Sequence, residues 1–471
     1  NSKTKTLTIT GKGTLKNADV KLPSKIDHIV VKEGITVLED GVLNWIWPKD
    51  ITLPTSIREI KGYAFAMNEC DCNEEFPYRE NVIIYAEAGS VTETYCDMVM
   101  KEYESDMYQF MAIFKPIKKS GNSNNGNSSG NCGSNNVKWK LGKNGKMTIY
   151  GKGTMYGKPA TQTFDKRKVK EVVVNNGITN IYGGCFRDYK NLKKVTIPNS
   201  VTVIGAKAFS GCKNLQTVVM SKNVQQYNNY VFENCSSLKS VPSLKNVKKI
   251  GMGIFKNCSS ITKVDFPNSY SNVPYEMFYG CKNLTNVTLS KKVNEIGDYS
   301  FAKCTKLKNV NFLKNVTSIG GNAFRGCSSI EKVTLNDNAK IYTENGTYSE
   351  NVFSGCSKLK DIVVSKNNKY YTSVDGLIYS KDKKTLVQYP LGNTRTTFTI
   401  PDFVTKIVVS AFQGSKNIKK LVIPGNVTNV SEKAFANCSN LETVKLPDNF
   451  QEISNYTFSG CSKLKSINFP T

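Results

Sequence analysis

The apolar positions of this chain recur on a fixed period. Phe186, Phe209, Phe232, Phe255, Phe278, Phe301 and Phe324 are each 23 residues apart. The interval stretches to 29 at Phe353 and 59 at Phe412, then returns to 23 at Phe435 and Phe458. Other apolar residues keep their offsets within each unit. After Phe209 come Cys212, Leu215, Val218, Met220 and Val224; after Phe278 come Cys281, Leu284, Val287, Leu289 and Val293. The Leu-x-x-Val-x-Leu core reads as a short strand whose first, fourth and sixth side chains point inward. Pro198, Pro267, Pro424 and Pro447 end such strands, because proline cannot donate to a ladder. A unit this small cannot bury its own apolar face, so stacked neighbours must make the core. The pattern predicts a solenoid, mainly parallel short β-strands with short helical or irregular convex turns.

Residues 195–215 (VTIPNSVTVIGAKAFSGCKNL) carry a resemblance as well as a period. They resemble the BspA-like leucine-rich repeats, over nearly all of residues 137–471. The resemblance implies a leucine-rich-repeat solenoid that is secreted or attached to the cell surface. It also implies a binding or adhesion role.

Two repeat blocks joined by a flexible linker are expected. Residues 6–15 (TLTITGKGTL) and 146–155 (KMTIYGKGTM) open alike, as do 31–43 and 174–186. Residues 1–118 therefore read as a short block with an N-terminal hairpin cap. After a terminal strand near Val82, a cap helix is expected through Met98, Tyr103 and Met107 towards Phe114. Residues 119–136, rich in Gly, Ser and Asn, read as the linker. Residues 137–471 form the main array. Within it, alternating apolar residues around a polar turn at 381–384 predict a β-hairpin insert near 368–400. That insert is an elaborated repeat or an aromatic ligand patch. No cap follows the last strand, and an exposed edge invites aggregation, so the natural chain is expected to run past Thr471.

Chemistry-bearing residues are sparse. Nine cysteines (Cys212, Cys235, Cys258, Cys281, Cys304, Cys327, Cys356, Cys438 and Cys461) each lie three residues after a marker Phe, and Ser415 takes that place in one unit. Stacking brings these thiols close, but with parallel Cβ vectors that suit no disulfide. They read as buried, reduced, small hydrophobes. Cys70, Cys72, Cys96 and Cys132 fall outside the series, and a bridge from Cys70 or Cys72 to Cys96 is possible. His28 is the only histidine, which excludes multi-histidine zinc sites. Residues 126–130 match Gly-x-Ser-x-Gly, but in the linker and not between a strand and a helix. No enzyme, metal site or cofactor is expected, and no 18-residue apolar run predicts a membrane-spanning helix.

Charge changes the picture. The formal net charge is +26, yet residues 1–118 hold 14 Lys+Arg against 18 Asp+Glu and the remainder 50 against 20. Such asymmetry bears on partners more than on fold. The three x positions of each strand should face out on the concave side. There they carry Lys193, Lys194, Lys239, Lys263, Lys308, Lys332, Lys360, Lys419, Lys420, Lys445 and Lys465. Asp265, Glu331, Asp361 and Glu442 oppose them. These eleven lysines are the candidate partner-binding residues, for a protein or an anionic glycan. Aromatics are few on that face, which disfavours stacking of nucleic-acid bases. A general polyanion binder for glycosaminoglycan, teichoic acid or nucleic acid is the alternative, as is a spacer displaying other domains.

Overall fold

The computed structural model describes residues 5–16, 26–39, 42, 50–57, 59–60, 82–86, 112–116, 129–133, 136–155, 165–341, 352–448, 450 and 452–468. The chain divides into two compact units. One is Asn1–Lys140 with Gly151–Phe164, the other Leu141–Tyr150 with Asp165–Thr471.

The larger unit is a parallel β-solenoid. Glu171–Val174 lies between Lys146–Tyr150 and Lys194–Thr196, and Thr217–Val219 follows. Glu171, Lys194 and Thr217 stand side by side, so the register advances one period per turn. The periodicity predicts one strand per unit, but the structure has two. A second parallel ladder runs through Ile178–Ile181, Val203–Ile204, Gln226–Tyr227 and Lys249–Ile250. It resumes in Asn272–Val273, Glu295–Ile296, Ser318–Ile319 and Lys340–Ile341. The recurring Val-x-x-Ile (Val201 to Ile204, Val293 to Ile296) was its sequence signal. Pro242 stands where a first-ladder strand would run, and a 3-10 helix at Asn311–Asn315 replaces another. The remaining turns are irregular; among the described residues helix is confined to that segment and Lys166–Lys168.

Two columns fill the interior. The marker phenylalanines from Phe186 to Phe353 are wholly buried, and their rings stack with centroids 5.3–5.8 Å apart. Each turn's backbone is satisfied by its neighbour. Phe209 N–H, for example, donates to the Val231 carbonyl at 2.9 Å, and Phe232 N–H to that of Ile254 at 2.9 Å. Two residues beyond the Phe the chain turns left-handed, with φ 76° at Gly211, 60° at Asn234 and 60° at Asn257. Gly and Asn tolerate that conformation best.

Beside the rings runs a column of thiols. The Sγ of Cys212 donates to the Phe186 carbonyl at 3.1 Å, Cys235 to Phe209 at 3.2 Å, and Cys327 to Phe301 at 3.0 Å. The pattern repeats through Cys461, whose Sγ lies 3.2 Å from the Phe435 carbonyl. All nine thiols are free, and only Cys461 is less than fully buried. Burial pushes Cys212 and Cys356 up to about 12, and drives Cys235, Cys258, Cys304 and Cys327 well above the ordinary thiol range.

The apparent gap of 59 residues contains a turn that phenylalanine alone does not mark. Tyr389, 23 residues before Phe412, occupies the marker position and stacks on Phe412 at 4.7 Å. Its carbonyl accepts from Gln388 Nε2 at 3.0 Å. The hydroxyl of Ser415, fully buried where the column would have a thiol, has no hydrogen-bond partner among the described residues. An unsatisfied buried hydroxyl costs about 1–3 kcal/mol. Ser415→Ala should therefore raise stability by about 1 kcal/mol in urea melts. A loss of stability would show that the hydroxyl is satisfied in solution.

The insert is larger than a hairpin. Tyr371–Val374, Leu377–Ser380 and Thr385–Gln388 form a three-stranded antiparallel meander, and Thr385–Gln388 then pairs parallel with Lys406–Ile407. Its inner residues Leu377, Tyr379 and Leu386 join the core of the following turns.

The smaller unit is also a parallel ladder, of Thr6–Ile9, His28–Val31, Asp50–Thr52, Val82–Ala86 and Ala112–Pro116. Ile29, Val31, Ile35, Leu38, Ile51 and Leu53 form its core. The expected N-terminal hairpin is corrected: Thr6–Ile9 and Gly13–Leu15 do not pair together but start separate ladders. Gly13, at φ 86°, makes the corner between them. The segment around Phe114 is a strand and not the end of a helix, because Ala112–Pro116 aligns on Val82–Ala86. The rest of the expected cap helix, with Met98, Tyr103 and Met107, lies outside the described residues, as do Cys70, Cys72 and Cys96. The expected linker is ordered at its end. Ser129–Asn131 pairs antiparallel with residues 138–140, Trp139 covers Gly130, and Cys132 is buried. Residues 119–128 and 134–135 lie outside the described residues.

Candidate binding surface

Nine of the eleven lysines lie on or next to first-ladder strands, and Lys239 and Lys308 lie on the two turns where that strand is missing. In Leu192-x-x-Val195-x-Ile197 the three apolar side chains are wholly or almost wholly buried, so Lys193 and Lys194 project outward. All eleven are exposed. They are not equivalent. Lys194 bridges Glu171 at 3.2 Å, Lys263 bridges Asp265 at 3.0 Å, and Lys308 bridges Glu331 at 3.2 Å. Lys332 and Lys465 lie 3.8 Å from Asp361 and Glu442. Exposed pairs of this kind contribute under about 1 kcal/mol each, but they neutralise the face locally. Among the described residues Lys193, Lys239, Lys360, Lys419, Lys420 and Lys445 make no ion pair.

The pairing had a signal in the sequence. Lys194 and Glu171, Lys308 and Glu331, and Lys465 and Glu442 are each one 23-residue period apart. Stacking places such residues side by side on neighbouring strands. Counting charges by position missed this, and it missed Glu171 altogether.

The turn side carries an arrangement that the strand pattern did not suggest. Lys207 lies 5.7 Å from the Tyr230 ring centre, and Lys256 5.6 Å from it on the next turn. Lys256 and Lys303 stand 5.2 and 4.9 Å from the Tyr279 ring. Glu276, almost buried, accepts from Lys256 Nζ at 2.6 Å and from the Tyr230 hydroxyl at 3.2 Å. These lysines are held against rings and a carboxylate, so the column braces the turns.

His28 is a satisfied strand residue. Its Nδ1 lies 2.9 and 3.0 Å from the carboxylate oxygens of Asp50 on the adjacent strand. Among the described residues no three His, Cys, Asp or Glu side chains group as a metal site requires. None of the described helices is long and apolar enough to cross a membrane.

A parallel β-solenoid of 23-residue turns, with an apolar strand core and a polar outward face, defines a leucine-rich-repeat protein. The chain belongs to the BspA type leucine-rich-repeat family, whose model matches residues 160–285, 228–345, 271–375 and 392–471 in six copies. Solenoids of this class serve generally as binding scaffolds on surfaces of repeated strands. Similar solved structures include a leucine-rich cell surface protein of Faecalibacterium prausnitzii, 21% identical, with a TM-score of 0.47, covering 72% of this chain and 94% of that one. A leucine-rich-repeat protein of Bacteroides ovatus is 17% identical, with a TM-score of 0.41 and coverage of 71% and 93%. The pneumococcal vaccine antigen PcpA is 18% identical, with a TM-score of 0.37 and coverage of 72% and 82%. No curated protein shows significant sequence similarity to the chain.

Proposed function

We propose that the chain is a secreted or cell-surface binding protein of adhesion type, without catalytic activity, whose basic strand face engages an acidic protein partner. The observation carrying this reading is the group of exposed lysines that no carboxylate of the described residues neutralises. Lys419, Lys420 and Lys445 sit on adjacent strands, with Lys420 beside Thr443 and Val422 beside Lys445. Unpaired ammonium groups on a rigid ladder need little reorganisation to meet a complementary surface. Small polar neighbours such as Thr443 and Ser466 leave room for approach. Family membership supports a binding role in general; the partner is inferred from charge.

The test uses charge reversal at Lys193, Lys419, Lys420 and Lys445, because single exposed charges contribute little. Binding to acidic matrix proteins on an array should weaken roughly tenfold and become less sensitive to salt. The control reverses Lys222, Lys248, Lys291 and Lys292, which are exposed beyond the strands. Equal loss from both sets would reduce the effect to bulk charge. A polyanion binder would instead show no preference among acidic proteins and lose affinity equally whichever set of lysines is reversed.

A further inference from the structure

The meander departs from the repeat at a measurable cost in chain. Phe353 and Tyr389 are 36 residues apart, where an ordinary turn takes 23. Its inner strands fill the core, but its outer loop does nothing for that core: residues 381–384 are all exposed. Three of those four residues are lysines. Their surroundings add more positive charge. Lys381 N–H donates to the Tyr370 carbonyl at 2.9 Å, and its Nζ donates to the Lys366 carbonyl at 3.1 Å. The Lys384 carbonyl accepts from Thr405 and Lys406 N–H, which brings Lys406 alongside.

Two exposed rings sit in this patch, and each is covered by an ammonium group. Lys340 Nζ is 5.2 Å from the Tyr370 ring centre, and Lys383 Nζ is 5.8 Å from that of Phe403. Lys383 adopts φ 64°, a conformation that an ordinary turn gives to Gly or Asn. The nearby carboxylates are otherwise engaged or outnumbered. Asp382 accepts from Ser380 Oγ at 2.6 Å and from Lys384 N–H at 3.0 Å, Asp337 accepts from Ser365 and Asn367, and Asp402 lies beside Phe403 in sequence. Among the described residues Lys366, Lys369, Lys381, Lys383, Lys384 and Lys406 make no ion pair, in contrast to the strand face, where five lysines of eleven do.

We propose that this outer loop of the meander is a second interaction surface, one that seats an anionic polysaccharide. The chemistry selects that class. Lysines are point charges without the planar fork of arginine, so they suit the spaced sulfates or carboxylates of a flexible polymer better than bidentate recognition. An ammonium group stands over one face of each ring, which leaves less of a platform for single-stranded bases to stack on. The surface is independent of the strand face and stands or falls without it.

The probe is heparin for sulfated chains, polygalacturonate for carboxylated ones, and dextran as the neutral polymer. Binding is measured by fluorescence anisotropy at two salt concentrations on the full chain. Combined Lys381→Glu, Lys383→Glu and Lys384→Glu should weaken heparin binding roughly tenfold and flatten its salt dependence. The Lys→Gln version at the same positions, which keeps size and solubility, should give a smaller loss with an unchanged melting curve. Reversal at Lys222, Lys291 and Lys292, and the strand-face variant, should each cost less than the meander variant. Equal loss from any three reversals overturns the proposal, as does unchanged heparin binding in the meander variant. Tighter binding of single-stranded DNA than of heparin, lost in the same variant, overturns the assignment to a polysaccharide.

Discussion

Raising the pH from 8 to 10.5 should unfold the larger unit steeply. Cys212, Cys235, Cys258, Cys281, Cys304, Cys327 and Cys356 are fully buried, and burial raises the pKa of each above its ordinary value. For an acid whose folded pKa is raised, the unfolded state releases its proton first. The stabilisation is complete below the unfolded value, about 8.5, and is lost as pH climbs from there towards the folded value, which is about 12 at Cys212 and Cys356. Each thiol then costs about 1.4 kcal/mol per pH unit. Seven together approach 10 kcal/mol per unit, on the order of a domain's whole stability. Any fall in net positive charge as the pH rises relieves self-repulsion and works the other way, so it cannot produce the transition. Circular dichroism under reducing conditions should show the loss. Replacing Cys235, Cys258 and Cys281 by Ala should make it shallower. A pH midpoint above 11, or one that the replacements leave equally steep, would contradict the role of the column.

Removing a ring that is stacked on both faces should cost more than removing one stacked on a single face. Phe255 is wholly buried and stacks on both Phe232 and Phe278 at 5.8 Å. Phe255→Ala should cost about 3–5 kcal/mol for the cavity, with a further loss of about 0.5–1.5 kcal/mol for each stacking partner. Turns of a solenoid couple mainly to their neighbours, so a weak central turn should split urea unfolding into two phases. Phe458, half-buried, has only Phe435 as a ring partner among the described residues. Its replacement by Ala should cost under half as much and leave a single transition. Equal costs at the two positions would mean that the stack is not a cooperative column.

The repeat made much of this protein legible in advance. A 23-residue period with invariant apolar offsets can bury its surface in few ways, and stacking parallel turns is the one that satisfies every offset at once. Burial of Phe209, Leu215 and Cys212 follows from that alone, as does the outward projection of Lys193 and Lys194. Even the ion pairs from Lys194 to Glu171 and from Lys308 to Glu331 were implicit in the period, although counting charges by position did not reveal them.

Tertiary structure decided what the period leaves free. Tyr389 could replace Phe because the stack requires a flat ring, not a particular residue, and a search for Phe alone lost that turn. Ser129–Asn131 looked like linker by composition, yet Gly130 gives Trp139 a surface to cover, which no composition rule registers. The second ladder depends on backbone groups of neighbouring turns meeting two residues at a time, too short a run for alternation to detect. Which lysines remain unpaired depends on whether a carboxylate stands within about 4 Å across the ladder or along the strand. Periodicity fixes what each turn must bury; the exposed side chains, under no such constraint, acquire their roles only when the turns are stacked.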